Sequence, residues 1–253
     1  MRQHVSVLML FARSSIYKVV AVLAAMAAVE CGLFYYLLQS KAGEIASGTV
    51  AFESLFEWHY VAFILSTIVL VAVLMQVWDG TGSKVRYTLH RLSIPERQVV
   101  LWNGLYNFGC VLLLWMVQAM VALGLCVWYT QVAPEEFVNH QTVALAFSRS
   151  TFLHRLIPRD DLWSWVLILV VSFTLGLTVA WDSYLNRWKT KATKVSFSTY
   201  FWIWWMFVNL FDNYPGSFDL LTFAVCGLFL IIILFGLRRK VVEDDAEKPE
   251  EEA

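Results

Sequence analysis

The chain has 253 residues, 59% of them hydrophobic and 15% charged, with a mean hydropathy of +0.60 and a formal net charge of -1. A soluble domain is about 45–50% apolar and about 25% charged, so this composition excludes an ordinary water-soluble globule and bulk disorder alike and points to a bilayer-embedded chain. The small net charge supplies no general attraction to nucleic acid, and no basic stripe interleaved with aromatics supplies a local one.

In chain order, Arg2–Ile16 comes first. Val5, Leu8, Met9, Ala12 and Ile16 recur at helical spacing, while Arg2, Gln3, Ser6 and Arg13 fall elsewhere around the wheel. This predicts an amphipathic N-terminal surface helix along the inner membrane face; the other reading is an extension of the span that follows. A crossing helix needs roughly 17–25 mostly apolar residues. Six segments qualify: Tyr17–Leu38, Trp58–Trp78, Val99–Tyr129, Leu162–Trp181, Val195–Leu210 and Phe218–Leu237. The third exceeds a bilayer's need, so it tilts or projects. The fifth is short and carries Trp202, Trp204 and Trp205. Ala25-Met26-Ala27 matches a small-x-small cleavage pattern, but apolar sequence continues to Leu38, which favours a retained first span.

The expected fold is an all-α integral membrane protein, with residues 1–240 forming a single six-helix domain. Residues 241–253 are acidic and are expected to form a disordered tail. Arg2, Arg13 and Lys18 precede span one, and Lys84, Arg86, Arg91 and Arg97 lie between spans two and three. Arg187, Lys189, Lys191 and Lys194 lie between spans four and five, and Arg238, Arg239, Lys240 and Lys248 follow span six. The opposite side has Lys41, Arg149, Arg155 and Arg159. The positive-inside rule then places both termini in the cytoplasm. The outer segment between spans three and four mixes Phe147, Phe152, Leu153 and Leu156 with polar residues, which predicts one or two short helices at the outer interface.

Soluble catalysis has no signature. Gly80-Thr81-Gly82-Ser83-Lys84 lacks P-loop spacing, the five His are scattered without paired ligand spacing, and Cys31, Cys110, Cys126 and Cys226 lie in apolar stretches without a CxxC pair. No catalytic residue and no metal ligand is assigned. Inside the spans, ionisable groups cost roughly 2.5–3.5 kcal/mol near the centre, and Glu30 is the one that lies well inside. Asn103, Asn107 and Gln118 share one face of span three: at about 100° per residue, Asn107 and Gln118 lie about 40° and about 60° from Asn103. Lipid cannot bond an amide, so this face points into protein or water. Glu30, Asn103, Asn107 and Gln118 are therefore candidate lining residues of a path, with interhelix bonding as the competing explanation.

The loop between spans two and three is patterned. Val85, Leu89 and Leu92 repeat at helical spacing among Lys84, Arg86, His90 and Arg91, and Pro95 breaks the run at a Ser93-Ile94-Pro95-Glu96-Arg97 turn. A short cytoplasmic helix followed by re-entry into span three is expected. In topology, and in the stretch Arg86-Tyr87-Thr88-Leu89-His90-Arg91-Leu92-Ser93-Ile94-Pro95-Glu96-Arg97-Gln98-Val99, the chain resembles the membrane permease of a type-2 ABC exporter. It departs from that pattern in having its longer outer segment between spans three and four rather than between spans five and six.

The resemblance implies a permease with no nucleotide site, which is not itself an enzyme. It implies a separate ABC ATPase binding ATP and Mg, a second permease copy or paralogue (a homodimer in the simplest case), and a bacterial plasma membrane. On that reading Arg86, His90 and Arg91 contact the ATPase, and Leu89 and Leu92 anchor the coupling helix. Two other readings stay open: a gradient-driven carrier or channel using Glu30, and a non-transporting membrane assembly or regulatory factor.

Overall fold

A computed structural model describes residues 2–46, 52–56, 58–79, 96–133, 141–158, 162–188, 199–205 and 217–247. The described residues are helical or connect helices, with no strand among them. In chain order the elements are α1 (Arg2–Ser40), α2 (Ala42–Ala46), a 3-10 turn (Phe52–Phe56), α3 (His59–Asp79), α4 (Glu96–Val132), α5 (Thr142–Arg149), α6 (Thr151–Leu156), α7 (Leu162–Trp188) and α8 (Ser217–Glu247). Residues 199–205 are also helical. Five helices are long and apolar enough to cross a membrane: Leu8–Ser40, Ser54–Gln76, Arg97–Val132, Leu162–Leu185 and Asp219–Arg238. They match five of the six expected spans. Most of the remaining one, 195–210, lies outside the described residues, and its described part is helical.

Two expectations change. No separate surface helix precedes span one, because Arg2–Ser40 is one continuous helix. Neither Gly nor Pro occurs between Arg2 and Cys31 to break it. From Phe11 onward it packs on the bundle: Phe11 and Ser15 are fully buried, and the Ser15 hydroxyl lies 2.7 Å from the Tyr106 hydroxyl of α4. At the other terminus the expected disordered tail begins as helix, since α8 continues to Glu247. Glu and Ala are good helix formers, and Arg239 and Glu243, like Lys240 and Asp244, are spaced four apart, which supports an extended helix.

Hydroxyls inside the apolar helices bond back along their own helix: Thr67 to Phe63 O, Thr174 to Val170 O, Thr178 to Thr174 O and Ser183 to Val179 O, at 2.7–2.9 Å. Glycine sets the closest helix crossing. A Cβ on Gly176 would stand 2.5 Å from Phe108 N and 3.0 Å from Gly104 O, and one on Gly104 would stand 2.7 Å from Leu177 Cδ1. The α4 and α7 backbones touch there, as small residues permit between apolar helices. Asn107 Nδ2 spans the crossing to Gly176 O at 3.3 Å.

Contacts between helices fix their register. Ser15 meets Tyr106 and Phe34 meets Trp128, so α1 and α4 run parallel. Phe63 of α3 packs on Trp115, while His59 packs on Phe34. α3 thus starts near the middle of the upper half of α1 and α4. Trp163 packs against Phe223 with tilted rings, and the Trp181 ring covers Gly236, so α7 and α8 run parallel to each other. Beyond the level of His59, α4 continues for about 20 Å.

That overhang is filled by a cap of α2, the 3-10 turn, α5 and α6. Phe52 stacks on Tyr129 at 4.1 Å, and Phe34 contacts Phe56 and Trp128, both at 5.8 Å. One or two short helices were expected between spans three and four, and two are present. They pack into the core rather than resting on a surface, with Ala146, Phe147, Phe152, Leu153 and Leu156 buried. Ser150 separates them: its extended backbone ends α5, and its hydroxyl accepts Leu153 N–H to start α6. Three polar contacts hold the cap down. Trp115 Nε1 donates to Leu156 O at 3.0 Å, Trp165 Nε1 donates to Pro158 O at 2.8 Å, and Arg155 stands 3.6 Å from Asp219 at the start of α8. We call this the capped end, and the opposite one, where the loop 80–95 joins α3 to α4, the basic end.

Candidate functional site

Four residues were singled out as path-lining candidates. The structure buries all four, to 1% exposure or less, and divides them between two places. Asn103 and Asn107 sit in the lower half of α4, beside its crossing with α7. Asn107 bonds Gly176 O there, so it acts as a contact between helices. Asn103 Nδ2 and Asn107 Oδ1 are buried without a hydrogen bond. Gln118 lies three turns higher and faces α1 instead, approaching the Glu30 carboxyl. The common face read from the sequence is therefore real, and all of it points into protein. Its upper and lower parts meet different helices because α1 and α7 cross α4 at different heights.

A third polar side chain joins Glu30 and Gln118. His59, the first residue of α3, is 1% exposed, and its ring lies beside the backbone carbonyls of Glu30 and Leu55. Phe56 and Phe34 flank it, with ring centroids at 5.1 and 6.1 Å. Glu30 comes from α1, His59 from the corner between the 3-10 turn and α3, and Gln118 from α4. These three approaches fall short of closed hydrogen bonds: both Glu30 carboxyl oxygens, both His59 nitrogens, and the oxygen and nitrogen of Gln118 are buried with no partner of good geometry. Each such group costs about 1–3 kcal/mol when left unpaired. Six together are far more than helix packing needs, which makes this the principal candidate site.

Spacing along the chain hides His59, because it is one of five scattered histidines. One signal does mark it. It opens an apolar span at its expected outer end, and Glu30 sits toward the outer end of span one, so the two ionisable groups share a depth once the spans pair.

The remaining features are of other kinds. A cavity of about 340 Å³ lies between α1 and α3, lined by apolar side chains including Ala21, Ala25, Val29, Ala62 and Leu65, with Ser66 as its polar member. Asp182, near the basic end of α7, accepts a hydrogen bond from Thr199 and ties helix 199–205 to the bundle. The four cysteines are free thiols, with Cys31 exposed and Cys110, Cys126 and Cys226 buried. Among the described residues no group of three His, Cys, Asp or Glu side chains is placed to hold a metal ion. The expected coupling residues Arg86, Leu89, His90, Arg91 and Leu92 lie outside the described residues. Comparison with known protein families, with curated proteins and with solved structures finds no match for the chain.

Proposed function

We propose that the chain is the membrane permease subunit of an ATP-driven exporter of the type-2 ABC class. It would stand with both termini in the cytoplasm of a bacterial plasma membrane and work as a pair of permeases with two ATPase subunits. The supporting observation is the basic loop 82–99, with Val85, Leu89 and Leu92 at helical spacing, between two membrane-length helices. It lies on the side that carries most of the Lys and Arg, which is the cytoplasmic side by the positive-inside rule. A chain whose loops are short and whose sequence has no P-loop spacing must take power for uphill transport from elsewhere.

In this reading Leu89 and Leu92 fix a short helix to the underside of the bundle, and Arg86, His90 and Arg91 enter an acidic groove of the ATPase. Closure of two ATPases around ATP and Mg moves that helix, and the movement passes into α3 and α4, which flank it. The α4–α7 crossing at Gly104 and Gly176 is too close to slip, so α4 and α7 move together. At the capped end, α5 and α6 close the outer exit in this state.

The test is co-purification of an ABC ATPase with this chain. Leu89→Asp and Arg91→Glu should each remove the ATPase from the complex while leaving the permease folded. Unchanged ATPase association and unchanged substrate-stimulated ATP turnover in both variants would overturn the assignment.

A further inference from the structure

Glu30, His59 and Gln118 come from three elements and bring six unpaired polar atoms into the interior under the cap. What accompanies them follows from charge and ligand number. Neither carboxyl oxygen of Glu30 has a hydrogen-bond or cationic partner among the described residues. A bare carboxylate sealed from water is too costly to persist, so a positive charge must accompany it. A structural or catalytic transition-metal site takes three or more protein ligands, and among the described residues no group of three His, Cys, Asp or Glu side chains is placed to hold one. A proton needs no second protein ligand. Water supplies the rest, since a buried water typically makes two to four hydrogen bonds and this spot offers six unpaired polar atoms.

We infer that Glu30, His59 and Gln118 form a proton-binding site in which Glu30 carries the proton and enclosed water links its carboxyl to the His59 ring and the Gln118 amide. The exchange is balanced by itself: a carboxylate oxygen gains a proton from water as an O–H bond forms, and returns it to water by the reverse step. The His59 ring, beside backbone carbonyls of Glu30 and Leu55, can donate toward a carbonyl through one nitrogen and present the other to the water as an acceptor. Of the other titratable groups on the packed elements, Cys126 and Tyr129 lie two to three turns further along α4 toward the cap. Lys41 and Glu44 stand at the α1–α2 corner beyond Phe34. His59 is a titratable side chain that another element places beside Glu30. The inference stands apart from the exporter reading, and either can fail without the other.

Infrared difference spectroscopy on the full chain in detergent at neutral pH tests it. The expected result is a protonated-carboxyl C=O band that shifts in D2O, is lost in Glu30→Gln, and moves in His59→Ala and Gln118→Leu. Glu30→Gln mimics the protonated acid in shape and charge and should melt close to the wild type. A band unaffected by Glu30→Gln overturns the site, as does one metal ion per chain, measured by mass spectrometry, that is lost in this variant. Should Glu30→Gln fail to accumulate, Gln118→Leu reads the same site through the band position, and an unmoved band there overturns the inference.

Discussion

The two halves of α4 handle the same problem in opposite ways. Both place amides on one face of an apolar helix, where lipid offers no hydrogen bond. In the lower half, glycines bring α7 into backbone contact, and Asn107 bonds directly to Gly176 O. In the upper half Gln118 approaches Glu30, whose backbone carbonyl lies beside His59, and six polar atoms of the three side chains remain unpaired. The first arrangement is adhesive and rigid. The second is open only in the sense that its polar atoms, though buried, have no direct protein partner. An amide in an apolar helix is therefore not diagnostic by itself. What identifies a site is whether the packing around the amide closes upon it.

The comparison breaks most severely at the crossing. Gly176→Val would place a branched side chain where a single Cβ already falls 2.5 Å from Phe108 N. Both neighbours there are backbone and cannot rotate away, so the helices must separate, and the cost should exceed about 3 kcal/mol. The expected outcome is loss of a monodisperse, folded species on gel filtration in detergent. The same substitution at Gly109, whose Cβ direction is open, should leave the elution profile unchanged. Equal behaviour of the two variants would show that the crossing is not the rigid half of the helix.

A smaller effect is expected in the cap. Leu153 is fully buried beneath α6. Leu153→Ala should cost about 2–5 kcal/mol, the range for buried leucines whose cavity does not collapse. If the cap is a packed layer, thermal melting should fall by several degrees and thiol reagents should label the buried Cys126 faster than in the wild type. An unchanged labelling rate would mean that the cap and the upper core open independently.

The helices were legible because a bilayer demands long apolar runs, and five described spans lie where those runs fall. The shared amide face of α4 was legible too, since helical periodicity alone sets it. The height at which α1 and α7 meet α4 was not. It depends on Ser15 finding Tyr106 and on glycine at two positions of different helices, and neither fact is visible before the helices pair. For the same reason Arg2–Ile16 read as a surface element: its polar residues mark one side of a wheel, but the hydroxyl that docks Ser15 is 91 residues away. His59 escaped because one of the backbone carbonyls beside its ring, that of Glu30, belongs to another helix.

Next in size is a direct contrast between the amides. Asn107→Leu removes the donor to Gly176 O and leaves that carbonyl bare at a contact with no room to spare, which should cost about 1–3 kcal/mol. Gln118→Leu removes an amide that bonds no protein group directly, so it strips no protein partner and should cost less, within about 1 kcal/mol. Melting of the two single variants in one detergent is sufficient. A larger loss from Gln118→Leu than from Asn107→Leu would reverse the roles given to the two halves.

The smallest effect belongs to the ion pair between cap and bundle. Arg155 and Asp219 are 3.6 Å apart, with side chains 17% and 8% exposed. At that separation the pair is a loose electrostatic contact, worth about 0–1 kcal/mol where solvent still reaches it. The packed leucines beneath it contribute much more, so Arg155→Ala alone should barely change melting. Its effect should appear in local opening instead. Hydrogen exchange across α6 should speed up while exchange across the α4–α7 crossing stays as it was, because the pair joins α6 to α8 whereas the crossing lies between α4 and α7. Faster exchange at both places would mean that the capped end and the crossing unfold as one unit, and the division of α4 into an adhesive half and an open half would then describe packing but not stability.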